Sequence, residues 1–212
     1  WIHLPWGNKI GTADLGPQAV PDVDRAMASW FHHYLDHDQP MGPPPFRGAR
    51  YFILGKNQWQ DSSAWPPPEA IESTWFLQSQ GRANSRFGDG ALSSEGAEGP
   101  EDLFNYDPEV PFQAPGGNLA GSASFGPHDL SAQQQGINVL VYTSPSLARE
   151  TVIAGHPLVI LHFRSSAPST HVVVRLSRVT ADGRAQFLTL GATVARASKG
   201  DEIRIPLDPI AA

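Results

Sequence analysis

The residue of this sequence best suited to catalysis is His3, which lies in the opening segment Trp1-Ile2-His3-Leu4-Pro5-Trp6-Gly7. A neutral imidazole whose pKa lies near the working pH can accept the proton of a serine hydroxyl and later donate it to a leaving group. A histidine near a chain terminus can equally be a solvated loop residue. The residues alone therefore leave both interpretations of His3 open.

A serine nucleophile that could serve His3 is absent from the sequence. The nucleophile elbow of an α/β-hydrolase has the pattern Gly-x-Ser-x-Gly, on a sharp turn between a strand and a helix. The nearest segment, Gly121 to Gly126, has the wrong spacing and lies in a polar stretch with neither element beside it. We therefore expect the chain by itself to have no hydrolase turnover.

Three tryptophans could contribute to a binding site. Trp59 and Trp65 lie in a predicted loop from Trp59 to Pro68, and Trp75 follows in a segment of branched and aromatic residues. Such side chains could line a hydrophobic acyl pocket or stack on a sugar. We predict that Trp75 lies on a strand and packs in the core. For Trp59 and Trp65 two interpretations stay open, namely substrate binding and packing against the hydrolase domain.

Metal and cofactor sites are not indicated. His33 and His37 lie four residues apart on a predicted helix and could share a face, but no third ligand or His-Glu-x-x-His pattern accompanies them. Histidines in a last helical turn also interact favourably with the negative end of the helix dipole. Asp107 precedes Pro108, a pair that commonly begins a turn. We predict no metal, no cofactor and a turn at Asp107.

The composition excludes several classes of partner. The 212 residues carry a net charge of -6, so no basic field is available to attract nucleic acid. No segment approaches the roughly 18 apolar residues of a membrane span, and we expect a soluble protein without a membrane partner. The chain has no cysteine, which excludes disulfides, thiolate metal sites and a cysteine nucleophile. The compartment stays open, with the cytoplasm favoured over secretion.

The chain is expected to have two parts. Apolar residues recur at helical spacing after Pro21, which predicts a helix over residues 22–37. The run from Pro40 to Pro45 cannot continue a helix, because proline lacks the backbone donor and fixes φ. We place a domain boundary there, with a helical segment at 1–45 and a second domain at 46–212.

The second domain is predicted to be a jelly-roll, galactose-binding-like β-sandwich. Short apolar segments separated by turn residues indicate strands. The pair Asp182-Gly183 predicts a tight hairpin turn, whereas residues 79–135 are polar and lack a clear period. Further strands would be usual in such a sandwich, so we expect the sequence to be cut short at its C-terminus. The predicted strands are 51–54, 71–77, 138–143, 151–154, 158–164, 171–179, 184–190 and 202–206.

The order of several short motifs resembles the C-terminal portion of the acyl-esterase and X-Pro dipeptidyl peptidase group of α/β-hydrolases. Each motif is weak alone, but together they extend over nearly the whole chain in the order found in that family. The matching motifs are Trp1-Ile2-His3, Trp59 to Pro67, Asp107 to Pro111, Gly116-Gly117, Asn138 to Thr143 and Val179 to Ala185.

The resemblance implies a role for each part of the chain. In that family the triad residues follow the order serine, acid, histidine, so His3 would be the triad histidine and residues 1–45 the tail of the hydrolase domain. The parent protein would cleave an ester or amide bond, acyl or X-Pro dipeptidyl, through an acyl-enzyme. Its partners would be a small-molecule ester or peptide substrate and the upstream hydrolase half, with oligomerisation left open.

Two other functions remain open from the sequence. The sandwich could be a non-catalytic carbohydrate-binding module in which tryptophans stack on a sugar, or a structural domain that drives oligomerisation. An upstream nucleophile elbow would favour the hydrolase. A response of tryptophan fluorescence to oligosaccharides, or self-association in solution, would favour the alternatives.

Overall fold

The computed structural model describes residues 7–10, 13–36, 47–112, 115–117, 126–196 and 200–212. Strands are its main regular element, and a single longer helix, α1 (Val23–Leu35), lies near the start of the described chain. This confirms the predicted mainly β composition. The strands are β1 (Lys9–Ile10), β2 (Ala13–Asp14), β3 (Ala49–Ile53), β4 (Gln58–Ser62), β5 (Phe76–Gln78), β6 (Ala91–Ser93), β7 (Ala154–Gly155), β8 (Leu158–Phe163), β9 (Ser169–Val179), β10 (Ala185–Arg196), β11 (Asp201–Pro206) and β12 (Ile210–Ala211).

Helix α1 follows the predicted position closely. The side chain of Asp22 caps its first turn by accepting a hydrogen bond from the backbone N–H of Arg25 at 3.0 Å. The helix ends at Leu35, and the prediction for residue 37 and for the proline run falls outside the described residues. No side chain of α1 is buried. The domain boundary predicted at residue 45 also lies outside the described residues and stays a prediction.

The described residues form two compact units. The first contains residues up to 70 together with 152–172 and 191–212, and the second contains 71–151 and 173–190. In the first unit, β3 pairs with β4, β8 with β11 and β7 with β12, all antiparallel. Its buried side chains include Ile53, Ile205 and Ile210.

The second unit has a smaller apolar core and much irregular chain. Strand β5 pairs with β6, and the core consists of Leu130, Ala185 and Phe187 with Leu190 packed against it. Strands β9 and β10 pair with each other and continue from this unit into the other. Residues 79–135, predicted to lack regular structure, contain only β6 and a short 3-10 helix within the described part.

Several sequence predictions need correction. The loop expected between Trp59 and Pro68 begins as strand β4, which pairs with β3 over five residues. The strand expected at 71–77 shrinks to β5, with Ile71 91% and Trp75 43% exposed, so Trp75 is not a core residue. The strand expected at 138–143 is reduced to isolated bridges at Leu140 and Thr143. Branched and aromatic residues favour strands, but partners in the fold decide whether a ladder forms.

The predicted hairpin turn between β9 and β10 is confirmed. Thr180 and Arg184 close the turn with an N–H···O bond of 2.9 Å, and Gly183 has a φ of +79°. A residue with a Cβ atom is strained in this left-handed conformation, whereas glycine is not.

We expect Gly183→Ala to lower the free energy of unfolding by about 1 kcal/mol, because alanine at positive φ adds steric strain. Chemical denaturation of the chain measures the change. Gly183→Asn is the matched control, since asparagine tolerates this region better and should lose only part of that stability. Equal losses for both variants would contradict this explanation.

Candidate functional site

His3, the predicted catalytic residue, lies outside the described residues. The candidate site that can be described is therefore the segment that carries Trp59 and Trp65. Both tryptophans belong to or follow the β3–β4 hairpin, whose register places Phe52 opposite Trp59 and Tyr51 opposite Gln60.

Trp59 is fixed on one face of the hairpin. Residues directly opposite on antiparallel strands share a face, and the rings of Trp59 and Phe52 meet edge to face with centroids 5.4 Å apart. The indole Nε1 donates a hydrogen bond of 2.8 Å to the backbone carbonyl of Gln18. Trp59 is still 39% exposed. The Nε1 edge of the indole is thus held by a hydrogen bond, while part of the ring is accessible to solvent.

Trp65 lies just after β4 and packs against other partners. Its ring contacts Tyr51 edge to face at 5.0 Å between centroids and approaches His156 at 6.2 Å. The peptide bond from Trp65 to Pro66 is cis, and Gly155 lies beside the Pro66 ring, which a Cβ there would meet at 3.4 Å. Trp65 is half-buried at the edge of this aromatic cluster.

The two tryptophans do not form one surface on the hairpin. Tyr51 and Phe52 are neighbours in β3, and successive side chains of a strand point to opposite faces. Trp65 packs on Tyr51 and Trp59 packs on Phe52, so they lie on opposite sides. A joint stacking platform, which the sugar-binding hypothesis would favour, is therefore not formed by this pair.

A carboxylate lies near the Trp65 cluster. Burial raises the pKa of the Tyr51 hydroxyl, and the negative charge of Glu69 raises it further. Tyr51 is thus neutral at ordinary pH and can offer its hydroxyl as a hydrogen-bond donor. The cluster of Tyr51, Trp65 and His156 combines an apolar surface with a few polar atoms, as small-molecule sites commonly do.

A second polar cluster, not predicted from the sequence, centres on Asp102 in the other unit. One carboxylate oxygen accepts bonds from the Ser79 hydroxyl at 2.6 Å and the Tyr142 hydroxyl at 2.7 Å. The other accepts the backbone N–H of Ala83 at 2.9 Å. These contacts join segments 40 residues apart in sequence, so no local spacing could have indicated them.

The hydrogen bonds to Asp102 also favour its ionised form. Partial burial opposes ionisation, but the bonds from Ser79, Ala83 and Tyr142 outweigh it and lower the pKa of the carboxyl. Burial and the same carboxylate raise the pKa of Tyr142. Asp102 is therefore a charged acceptor that ties together the irregular part of the second unit. Within the described part of the chain, no basic side chain bonds to the Ser79 hydroxyl to make it a nucleophile.

The predicted turn at Asp107 is confirmed. Its carboxylate accepts the backbone N–H of Glu109 at 2.9 Å, and its carbonyl accepts that of Val110 at 3.1 Å. The carboxylate is thus occupied in local turn geometry, as the Asp-Pro pair predicted.

The helical histidines are engaged separately in the described part of the chain. His32 pairs with Asp36 at 3.0 Å, and His33 meets Tyr34 edge to face. No group of three potential metal ligands occurs among the described residues, while His37 lies outside them. The absence of a metal or cofactor therefore stays a prediction. No helix in the described ranges is long and apolar enough to cross a membrane.

Comparison with known proteins gives consistent matches. Residues 47–211 match the family described as the X-Pro dipeptidyl-peptidase C-terminal non-catalytic domain. Cocaine esterase from a Rhodococcus species is 32% identical over 199 residues, which cover 90% of this chain and 34% of that protein.

A solved structure has the same fold. An aminopeptidase from the marine sediment archaeon Thaumarchaeota archaeon matches with a TM-score of 0.71 and 23% identity, covering 97% of this chain and 37% of the other. The chain thus spans about a third of the length of these two proteins. Together with the family match, the fold confirms the predicted mainly β sandwich.

Proposed function

Because the chain belongs to the family of the X-Pro dipeptidyl-peptidase C-terminal non-catalytic domain, we propose that it is the C-terminal part of a longer serine hydrolase. This hydrolase would cleave an ester or amide bond through an acyl-enzyme. The observation that carries the proposal is the match to cocaine esterase, which covers 90% of the chain. That match is longer than the family match at 47–211, so it includes residues before the sandwich.

In this proposal His3 is the triad histidine and the upstream part supplies the serine and the acid. His3 would take the proton of the serine hydroxyl as the serine oxygen bonds to the substrate carbonyl carbon, and then donate it to the departing alcohol or amine. Water would release the acid by the reverse sequence of proton transfers. The chain order of α/β-hydrolases, with histidine last, supports this assignment.

The exposed apolar face of α1 also supports an upstream catalytic part. Trp30 and Phe31 are about half exposed and Leu35 is 64% exposed. Residues from Pro21 to Phe31 line a groove of about 310 Å³ that is almost wholly apolar. Exposed patches of this kind commonly mark an interaction surface. We assign this face to contact with the upstream hydrolase domain of the same protein.

A fluorophosphonate probe, which reacts with activated serines, tests the proposal. The longer protein should be labelled, and the 212-residue chain alone should not. Labelling of the chain alone, or a longer protein that is folded but unlabelled, would contradict the proposal. Fluorophosphonate labelling of a mixture of the chain with a separately expressed upstream part tests whether the two parts associate into an active enzyme.

We further propose that Trp65 contributes to the substrate pocket. Trp59 and Trp65 lie on opposite faces of their hairpin, so one pocket cannot use both from that hairpin. The indole of Trp59 is already bonded to the carbonyl of Gln18. Trp65 is thus the better candidate for substrate contact, and Trp59 for structural packing.

Substitution of each tryptophan in the longer hydrolase distinguishes these two roles. Trp65→Ala should raise KM by about tenfold or more, because a large apolar contact with the substrate is lost. Trp59→Ala should lower the melting temperature and leave KM nearly unchanged. A higher KM for Trp59→Ala than for Trp65→Ala would overturn the assignment.

A further inference from the structure

Strand β9 carries a half-buried arginine that has no acidic partner among the described residues. Arg175 is half-buried, and its guanidinium lies over the ring of Phe112 at 5.4 Å from the centroid. It has no ion-pair or hydrogen-bond partner among the described residues. Burial lowers the pKa of its guanidinium, which remains charged at ordinary pH. Charges that are partly removed from water are commonly paired, because an isolated one loses favourable hydration.

The direction of the Arg175 side chain follows from the hairpin geometry. Arg178 donates a hydrogen bond to Gln186 across the hairpin, so these two residues share one face. Side chains alternate along each strand, which places Arg175 and Ser177 on the other face. That face also carries Phe187 and Thr189, which are 3% and 1% exposed. This face is thus buried along β10 but only partly buried along β9, since Val173 and Val179 on the same side are each 53% exposed.

A second polar group on this face also lacks a partner. The hydroxyl oxygen of Ser177 is buried and has no hydrogen-bond partner among the described residues. It lies two residues from Arg175 on the same strand, so both side chains leave the sheet on the same side. Nε2 of His128, which shares this face beside Phe187, is likewise buried and unpartnered in the described part of the chain.

We propose that Arg175 and Ser177 bind the carboxylate of a small organic acid on this partly buried face of the β9–β10 hairpin. A guanidinium and a hydroxyl both donate hydrogen bonds, and a carboxylate offers two oxygens that accept them. The single positive charge of one guanidinium balances a monoanion but not a phosphate dianion. The half-exposed guanidinium leaves access from solvent.

This proposal does not rest on the proposed triad or on an upstream hydrolase domain. All residues that form it belong to the second compact unit of the chain. Because Phe112 covers one side of the guanidinium, the bound acid would have a short apolar tail that can rest against this ring. Acetate and butyrate are suitable probes.

Thermal unfolding of the 212-residue chain with sodium acetate or butyrate, against sodium chloride at equal ionic strength, tests the proposal. At a carboxylate concentration ten times the Kd, the melting temperature should rise by roughly 3–6 °C. Arg175→Met should abolish the rise. The matched control is Arg178→Met, an exposed arginine on the opposite face of the same strand, which should retain it. Equal responses of the two variants, or equal effects of carboxylate and chloride on the wild type, would overturn the proposal.

Two further measurements keep the test valid if Arg175→Met does not fold. Acetate should shift the side-chain Nε–H resonance of Arg175 in the wild-type chain and leave that of Arg178 unchanged. Ser177→Ala should weaken carboxylate binding by about tenfold, since it removes one hydrogen bond to a charged group. An unshifted Arg175 resonance, or unchanged binding by Ser177→Ala, would count against the site.

Discussion

Replacing His3 by alanine in the longer hydrolase is expected to reduce kcat by about 10⁴-fold or more, with little change in KM. The expected loss is large because the serine hydroxyl has no other base to accept its proton, and triad residues act as a unit. The same substitution should abolish labelling by a fluorophosphonate. Steady-state kinetics and labelling of purified protein measure the two effects.

The matched control for this experiment is His33→Ala. His33 lies on α1 and packs against the edge of Tyr34, without a proposed role in catalysis. It should leave kcat unchanged. Added imidazole should restore part of the activity of His3→Ala, because a small base can occupy the space left by the side chain. A His3→Ala variant that kept more than about a tenth of the wild-type kcat would exclude His3 as the general base.

The sequence predicted those elements whose signals are local. Helix α1 is defined by its own apolar spacing and by the Asp22 cap, and both are visible in a short window. The turn at Asp182-Gly183 depends on one residue that accepts positive φ. The turn at Asp107 needs only a carboxylate two residues before a free N–H. Each of these features requires few contacts with distant parts of the chain.

Predictions that depended on distant partners were less successful. Gln58 to Ser62 is too polar to indicate a strand, yet it pairs with β3 along its full length. Residues 138–143 have a strong strand signal, but their neighbours offer only isolated bridges. Trp75 is apolar and near β5, but it is exposed because the segment that precedes it has no strand partner in the described structure.

The candidate site shows the same limit. The sequence identified Trp59 and Trp65 as a pair, but only their ring contacts with Phe52 and Tyr51, neighbours in β3, reveal that they lie on opposite sides. The sequence around Arg175 gives no sign that its side chain is half-buried without an acidic partner among the described residues. The Asp102 cluster likewise depends on three segments that meet only in the folded chain.

Asp102→Asn is expected to destabilise the chain by about 1.5–3 kcal/mol at neutral pH, equivalent to a fall in melting temperature of roughly 4–10 °C. The substitution removes a charged acceptor of three hydrogen bonds and places an amide N–H₂ where a donor already points. Asp107→Asn is the matched control, because that carboxylate accepts a single local bond in an exposed turn. It should change stability by less than about 0.5 kcal/mol.

The difference between wild type and Asp102→Asn should also depend on pH. The pKa of Asp102 is lowered in the folded chain, so its charge contributes stability above the unfolded value of about 3.9. That contribution is lost as the pH falls through the lower folded pKa. Denaturation curves between neutral pH and about pH 3 should therefore converge for the two proteins. A constant difference over this range would show that Asp102 acts through its shape rather than its charge. The hydrogen bonds from Ser79, Ala83 and Tyr142 would then not stabilise the fold by favouring the ionised carboxylate.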